Sequence, residues 1–269
     1  MTNEPKSALA VFAHPDDIEF VAAGTLLQLK QQGWNIHYMN LSGGDLGSLE
    51  HNREETRTIR IQEGRDGAAI LGATFYDPVS FDMQILYSLE LIRKVGAVIR
   101  KANPDIILTH ALSDYMTDHE NTAKVTLSAA FVKGMTNYET DPQQPAVAKD
   151  VTVYHAMPHG LRTPMRQRVR AGLYVDTTSV HATKREALAA HKSQKNFLDA
   201  TQGMDSYLVT MDELSKKVGM LSGEFEYAEG WRRHLHLGFS AKDQDPLAAA
   251  LGNLCLVDQN YEADLEEPR

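Results

Sequence analysis

His14, Pro15, Asp16 and Asp17 close an apolar run, Leu9 to Ala13, within the stretch SALAVFAHPDDIEF. Two adjacent carboxylates repel unless positive charge lies beside them, so a strand that ends this way asks for a cation. His14 and Asp17 have two residues between them, a spacing that aims an imidazole and a carboxylate at one point. A third ligand is needed, and THALSDYMTDHENT supplies His110, Asp114, Asp118 and His119. Two histidines and a carboxylate with an open position describe a catalytic zinc site, in which bound water has its pKa lowered to about 7. Asp16, left off the metal, is then placed to take a proton from that water. The same residue types suit the iron of a facial-triad oxygenase, so residue chemistry alone leaves zinc hydrolysis and iron oxidation both open.

These residues need elements that bring them together. Leu9 to Ala13 reads as a strand, and residues 22–32 as a helix with Leu26, Leu27 and Leu29 on its apolar side and Gly33 as its stop. NIHYMNLSGG is a second strand closed by glycines, Arg53 to Leu71 a long amphipathic helix ending at Gly72, and Thr74 to Tyr76 a short third strand. Leu86 to Lys101 is helical, Pro104 breaks it, and DIILTH is a fourth strand ending in His110. The alternation predicts an α/β fold: a Rossmann-like parallel sheet with helices on both faces and an elaborated C-terminal part. Ligands in such sheets bind at the carboxyl ends of the strands, which is where His14, residues 43–48 and residues 110–119 fall. Further on, a helix to Lys133, a polar loop over 137–150, strands VTVYHAM and AGLYVDTT, and helices TKREALAAHKSQKNFL and SYLVTMDELSKKVGML are expected. We expect one α/β domain over residues 1–269, with its core at about 7–200 and a C-terminal extension at about 201–269.

At 269 residues and 42% hydrophobic content, the chain can bury a sizeable core. A net charge of -9 argues against a nucleic-acid partner, because phosphate binding needs a concentrated basic face. The cluster from Arg162 to Arg170 reads as a solvated loop or a surface for one acidic group. Cys255 is the single cysteine, so no intrachain disulfide forms. The N-terminal apolar run is too short for a signal peptide, and no segment has the length of a membrane span, so a cytoplasmic location is expected. The expected partner is a small-molecule substrate, with neither nucleic acid nor membrane. The loop 137–150 and the C-terminal tail are candidate contacts for a homo-oligomer.

AHPDDIEF, followed by AAGTLL, SGGDLGS, RIQEGRDGAAILGA, NPDIILTH and DYMTDH, resembles the PIG-L/LmbE-like deacetylase family from about residue 7 to 123; AHKSQ and YAE are similar to weaker features of it. The resemblance implies a zinc-dependent amidohydrolase acting on N-acetylated sugar derivatives. It makes His14, Asp17 and His119 the Zn2+ ligands and Asp16 the general base. Arg60 in RIQE matches a position associated with substrate binding, against the alternative of an exposed helix arginine paired with Glu63. Asp114 matches an aspartate near the site, or holds its loop together. Asp45 in SGGDLGS is a candidate for hydrogen bonds to sugar hydroxyls.

One departure matters. Much of the family carries a histidine and proline where this chain has Met116 and Thr117, and a thioether has no proton to give. Losing such a group typically costs about 10²- to 10³-fold in rate. His234 or His236, in GWRRHLHLGF, is the expected catalytic replacement, with His155, His159 and His191 as further candidates; alternatively RRHLHLG is a strand with both histidines on one face. The expected function is a zinc-dependent N-deacetylase of a small acetamide, against a metal- and ligand-binding protein whose catalysis Met116 has degraded.

Overall fold

The computed structural model describes residues 5–202 and 207–266. Strand β1 (Ser7–Phe12) is buried along its whole length. Ala8, Ala10 and Phe12 enter one core and Leu9, Val11 and Ala13 the other, as the two-residue period of a doubly covered strand requires. The chain continues through α1 (Asp17–Val21), α2 (Ala23–Gln31), β2 (Asn35–Asn40), α3 (Arg53–Leu71), β3 (Thr74–Tyr76), α4 (Leu89–Ala102), β4 (Ile106–Thr109), α5 (Thr117–Phe131) and β5 (Thr152–Ala156). These five strands run parallel in the order β3-β2-β1-β4-β5. Apolar side chains of α2 and α3 pack in the first core, and those of α4 and α5 in the second, so helices cover both faces.

The second half is β6 (Leu173–Asp176), α6 (His181–Ala189), α7 (Lys192–Gln202), α8 (Tyr207–Ser222), β7 (Ala228–Arg233), α9 (Pro246–Leu251), β8 (Cys255–Val257) and α10 (Gln259–Glu266). Here the structure departs from an all-parallel sheet: β7 pairs antiparallel with both β5 and β6, and β8 pairs antiparallel with β6. Residues expected to form an appended extension are thus woven into the sheet. Trp231 of β7 is fully buried, with its indole N–H donating to Thr25 Oγ1 at 2.9 Å. Glu229, also buried, accepts from the backbone N–H groups of Gly24 and Thr25 at the start of α2 and pairs with Lys184 of α6 at 2.8 Å. A buried carboxylate is tolerable there because backbone donors and an ammonium both meet it.

The helix expected over 22–32 is two helices, broken at Ala22, whose φ of -137° is not helical. The long helix expected over 183–198 likewise divides, at Ala190 and His191. Among the described residues no helix is long and apolar enough to cross a membrane. What positions the site is the order β2-β1-β4: the chain leaves β1 towards one side of the sheet and leaves β4 towards the other. A crevice therefore opens at the carboxyl ends of β1 and β4.

Candidate active site

His14 leaves β1 into this crevice. Its N–H donates to Asp17 Oδ2 at 2.7 Å, and its carbonyl accepts from the Asn40 side chain at 2.6 Å. The turn between them puts Asp16 at φ 110°, a left-handed conformation that costs a non-glycine residue of order 1–3 kcal/mol. Neighbours hold it there. Arg60 Nη2 donates to Pro15 O at 2.5 Å and lies 3.3 Å from Asp16 Oδ2, while the Tyr207 hydroxyl donates to the same oxygen at 2.7 Å. Arg60 comes from α3, whose first turn is set by a capping box of Asn52 and Glu55. Its side chain crosses the loop after β2 so closely that a Cβ at Gly44 or Gly47 would lie 2.6 or 2.5 Å from the guanidinium, which is why SGGDLGS is glycine-rich there.

His14, Asp17 and His119 offer ligand atoms that all lie within 4.8 Å of one another. His14 Nδ1 is 3.3 Å from Asp17 Oδ2, and His119 Nε2 is 3.5 Å from Asp17 Oδ1. The other nitrogen of each imidazole is engaged: His14 Nε2 with Asp118 Oδ2 at 3.2 Å, and His119 Nδ1 with Asp114 Oδ1 at 3.0 Å. Carboxylates that fix the tautomer and orientation of two histidines are the usual outer support of a metal. The electrostatics fit a cation too. Burial alone lowers the His14 pKa, but hydrogen bonds to Asp118 and Asp17 outweigh it and lift it to about 10, so this corner holds positive charge tightly. Burial raises Asp17, yet His119 beside it brings it well below the usual carboxylate range. A second grouping, His110 with Asp114 and His119, is also compact. Its donors are already used: His110 Nε2 accepts from the Ala13 N–H at 3.0 Å, and Asp114 holds His119. Burial and the nearby His119 push the His110 pKa down to about 4, which keeps it neutral in that role.

Asp16 is not one of the three clustered donors. Burial raises its pKa, against the opposing pull of Arg60, and the Asp17 charge raises it further. A buried carboxylate with an elevated pKa beside a cation site has the character of a general base.

These groups line a cavity of about 250 Å³, which also receives His159, Tyr115, Met116, Met157 and Gln194. His159 stands just past β5, in a short 3-10 turn at the same edge of the sheet, and burial lowers its pKa. The expectation for His234 and His236 is corrected. β7 is antiparallel to β5, with Arg233 opposite Tyr154, so the residues after it emerge at the amino-terminal edge of the parallel strands. His234 Nδ1 there meets His155 Nε2 at 3.1 Å, His236 faces Asp243 at 3.8 Å, and neither lines the cavity.

Asp45 is also elsewhere. It is buried beneath the loop, bonded to Arg53 and accepting from the Asp82 N–H at 2.8 Å, and it does not reach the cavity. Arg60 does line it, buried against Asp16 rather than exposed beside Glu63, which instead accepts from Ser193. Asp114 lines it while holding His119. The arginine-rich loop contributes nothing to the lining: Arg170 pairs with Asp258 and Asp264, and Arg162 donates to the Arg166 carbonyl. Tyr207, the partner of Asp16, escaped the sequence reading because nothing in SYLVTMDELSKK marks a tyrosine 191 residues from Asp16 as its neighbour.

Residues 9–130 match the family model described as PIG-L, GlcNAc-PI de-N-acetylase. The chain is 26% identical over 237 residues to the diacetylchitobiose deacetylase of Thermococcus kodakarensis, covering 86% of this chain and 84% of that protein. It is 27% identical over 206 residues to the 4-oxalmesaconate hydratase of Pseudomonas putida, covering 73% and 77%. Among solved structures, the N,N'-diacetylchitobiose deacetylase of Pyrococcus horikoshii shares the fold, with a TM-score of 0.69 at 20% identity over 91% of this chain and 89% of that one.

Proposed function

We propose, from the match of residues 9–130 to the PIG-L model and the likeness to the diacetylchitobiose deacetylase, that the chain is a zinc-dependent N-deacetylase of the PIG-L/LmbE-like family: it hydrolyses the acetamide of a small, sugar-like molecule to acetate and a free amine. The observation that carries this reading is the different surroundings of the two adjacent carboxylates in His14-Pro15-Asp16-Asp17. Asp17 joins His14 and His119 in a compact donor set, while the adjacent Asp16 lines the same cavity outside that set, bonded to Tyr207 and Arg60.

Zinc held by His14 Nδ1, Asp17 and His119 Nε2 would supply Lewis acidity, the property by which such sites bring the pKa of water from 15.7 to about 7. Asp16 takes the proton of the attacking water as its oxygen adds to the amide carbonyl, and returns that proton to the departing nitrogen as the C–N bond breaks. His159, as a neutral imidazole, donates a hydrogen bond to the developing oxyanion, the task that Met116 cannot perform. Asp114 and Asp118 keep the two histidine ligands oriented.

The hydratase relative favours addition of water to a carbon–carbon double bond, which the same base and cation site would serve. The position of His159 in the cavity speaks against a binding protein degraded at Met116. The deciding experiment measures acetate release from neutral and anionic N-acetylated sugars by metal-stripped protein, before and after reconstitution with zinc or iron(II). Zinc-dependent acetate supports the deacetylase. Stoichiometric zinc without acetate from any of them overturns it.

A further inference from the structure

The cavity changes character from its floor to its mouth. Its floor holds the donor set, Asp16 and Arg60, and beside them the buried Gln194, whose Oε1 has no hydrogen-bond partner among the described residues. An unsatisfied buried amide oxygen on a residue of the cavity lining gains from a donor, such as a hydroxyl of a bound molecule, once the side chain turns towards it. The mouth is apolar. Leu46, Met83 and Tyr115 line the cavity while remaining 49%, 59% and 60% exposed, and Phe20, Met157 and Phe197 stand behind them. These residues come from separate segments, after β2, before α4, after β4, in α1, after β5 and in α7. No single helix face or core accounts for their convergence.

Charge and size narrow the occupant. Arg60 is the only lysine or arginine among the lining residues, and its guanidinium is already committed to Asp16 and two backbone carbonyls, Pro15 and Gly44. A phosphate or a second carboxylate borne by a substituent would lie among Leu46, Met83 and Tyr115, where no lysine or arginine among the described lining residues meets it. At about 250 Å³ the cavity lies below the usual range of ligand pockets, about 300–1,000 Å³, so one ring-sized amide fills it and any further group must run over the mouth.

We propose, resting on the deacetylase reading, that the substrate is an uncharged amphiphile: a hydroxylated, ring-sized acetamide seated on the floor, bearing an alkyl or aryl substituent that lies on Leu46, Met83 and Tyr115. Methionine suits such a wall because its unbranched thioether adapts to differing apolar shapes. Specificity then lies in the substituent, and a phosphorylated sugar is rejected.

The test compares binding of octyl glucosaminide, methyl glucosaminide and glucosamine phosphate to the zinc-reconstituted protein by calorimetry, alongside acetate release from the corresponding acetamides. The octyl compound is expected to bind about tenfold or more tightly than the methyl one, since burying even part of a longer alkyl chain is favourable, and the phosphate more weakly than either. Leu46→Gln is expected to cut the octyl-to-methyl ratio severalfold. Equal or absent binding of the two glycosides overturns the proposal, as does preference for the phosphate. Equal binding, together with sedimentation of the parent as a dimer and of Leu46→Gln as a monomer, would also overturn it, assigning the apolar mouth to a second copy of the chain. Selective octyl binding without acetate release would sustain the apolar subsite while refuting the deacetylase reading.

Discussion

The Asp118 carboxylate lies 3.2 Å from His14 Nε2, and the same oxygen accepts the backbone N–H of Met83 at 2.7 Å. One buried side chain therefore fixes the tautomer of a metal-ligand candidate and ties down the loop that forms the cavity mouth. Met83 sits in that loop at φ 59°, a conformation that needs such a tether.

Replacing Asp118 with alanine should weaken zinc binding by about 10- to 100-fold, the usual consequence of losing an outer partner of a ligating histidine. Competition with a chromophoric chelator measures this directly. Unchanged affinity would mean that His14 does not need Asp118 for its orientation.

Asp16→Asn should lower turnover by about 10²- to 10⁴-fold, the range for a lost general base, with zinc stoichiometry retained. Metal content by mass spectrometry beside acetate release separates the two properties. Equal loss of both would refute the division of roles between Asp16 and Asp17. Tyr207→Phe, which removes one donor from Asp16 and leaves Arg60 in place, should give a smaller drop in kcat with zinc again retained.

His159→Ala should lower kcat by about 10²- to 10³-fold, as expected for a lost oxyanion donor. His159→Gln, which keeps an N–H, should recover part of the loss. His234→Ala and His236→Ala, on the other edge of the sheet, should stay near the parent rate. A reversed ranking would return the proton donor to the GWRRHLHLGF segment.

Stability should fall in mildly acidic solution through His155. Burial pushes its pKa down to about 4, and its Nδ1 lies 2.7 Å from the His110 carbonyl, an acceptor for a neutral imidazole. An unfolded chain takes up that proton near pH 6.5, so as pH falls from about 6.5 towards 4 the unfolded state gains protons that the folded state refuses. The full shift corresponds to about 3 kcal/mol. Urea midpoints of the parent and of His155→Gln between pH 7 and 5 read this effect. A substitution that leaves the slope unchanged would show that other groups cause it.

Much of the fold was legible. The helix at Arg53–Leu71 is read from its amphipathic period and the stopping glycine Gly72, and the short strand at Thr74–Tyr76 follows it, all local signals. The meeting of His14 and Asp17 with the segment 110–119 was legible for a related reason: they follow two parallel strands, and parallel strands deliver whatever follows them to one edge; the choice of His119 within that segment came from the family resemblance. β7 was the costly omission. AEGWRR has little strand signal, and its antiparallel direction decides which edge His234 reaches.

The sequence by itself determined which residues gather at the floor, because strand ends and short spacings bring His14, Asp16, Asp17 and the segment 110–119 to one edge of the sheet, and the family resemblance singled out His119 within that segment. Only the tertiary structure decided what surrounds them. It brought Tyr207 to Asp16 and Gln194 to the cavity, turned Asp45 inward to its own loop, and set His159 rather than His234 on the cavity lining. Each of those outcomes depends on contacts between segments far apart in sequence, and strand direction and helix packing, rather than local propensity, fix such contacts.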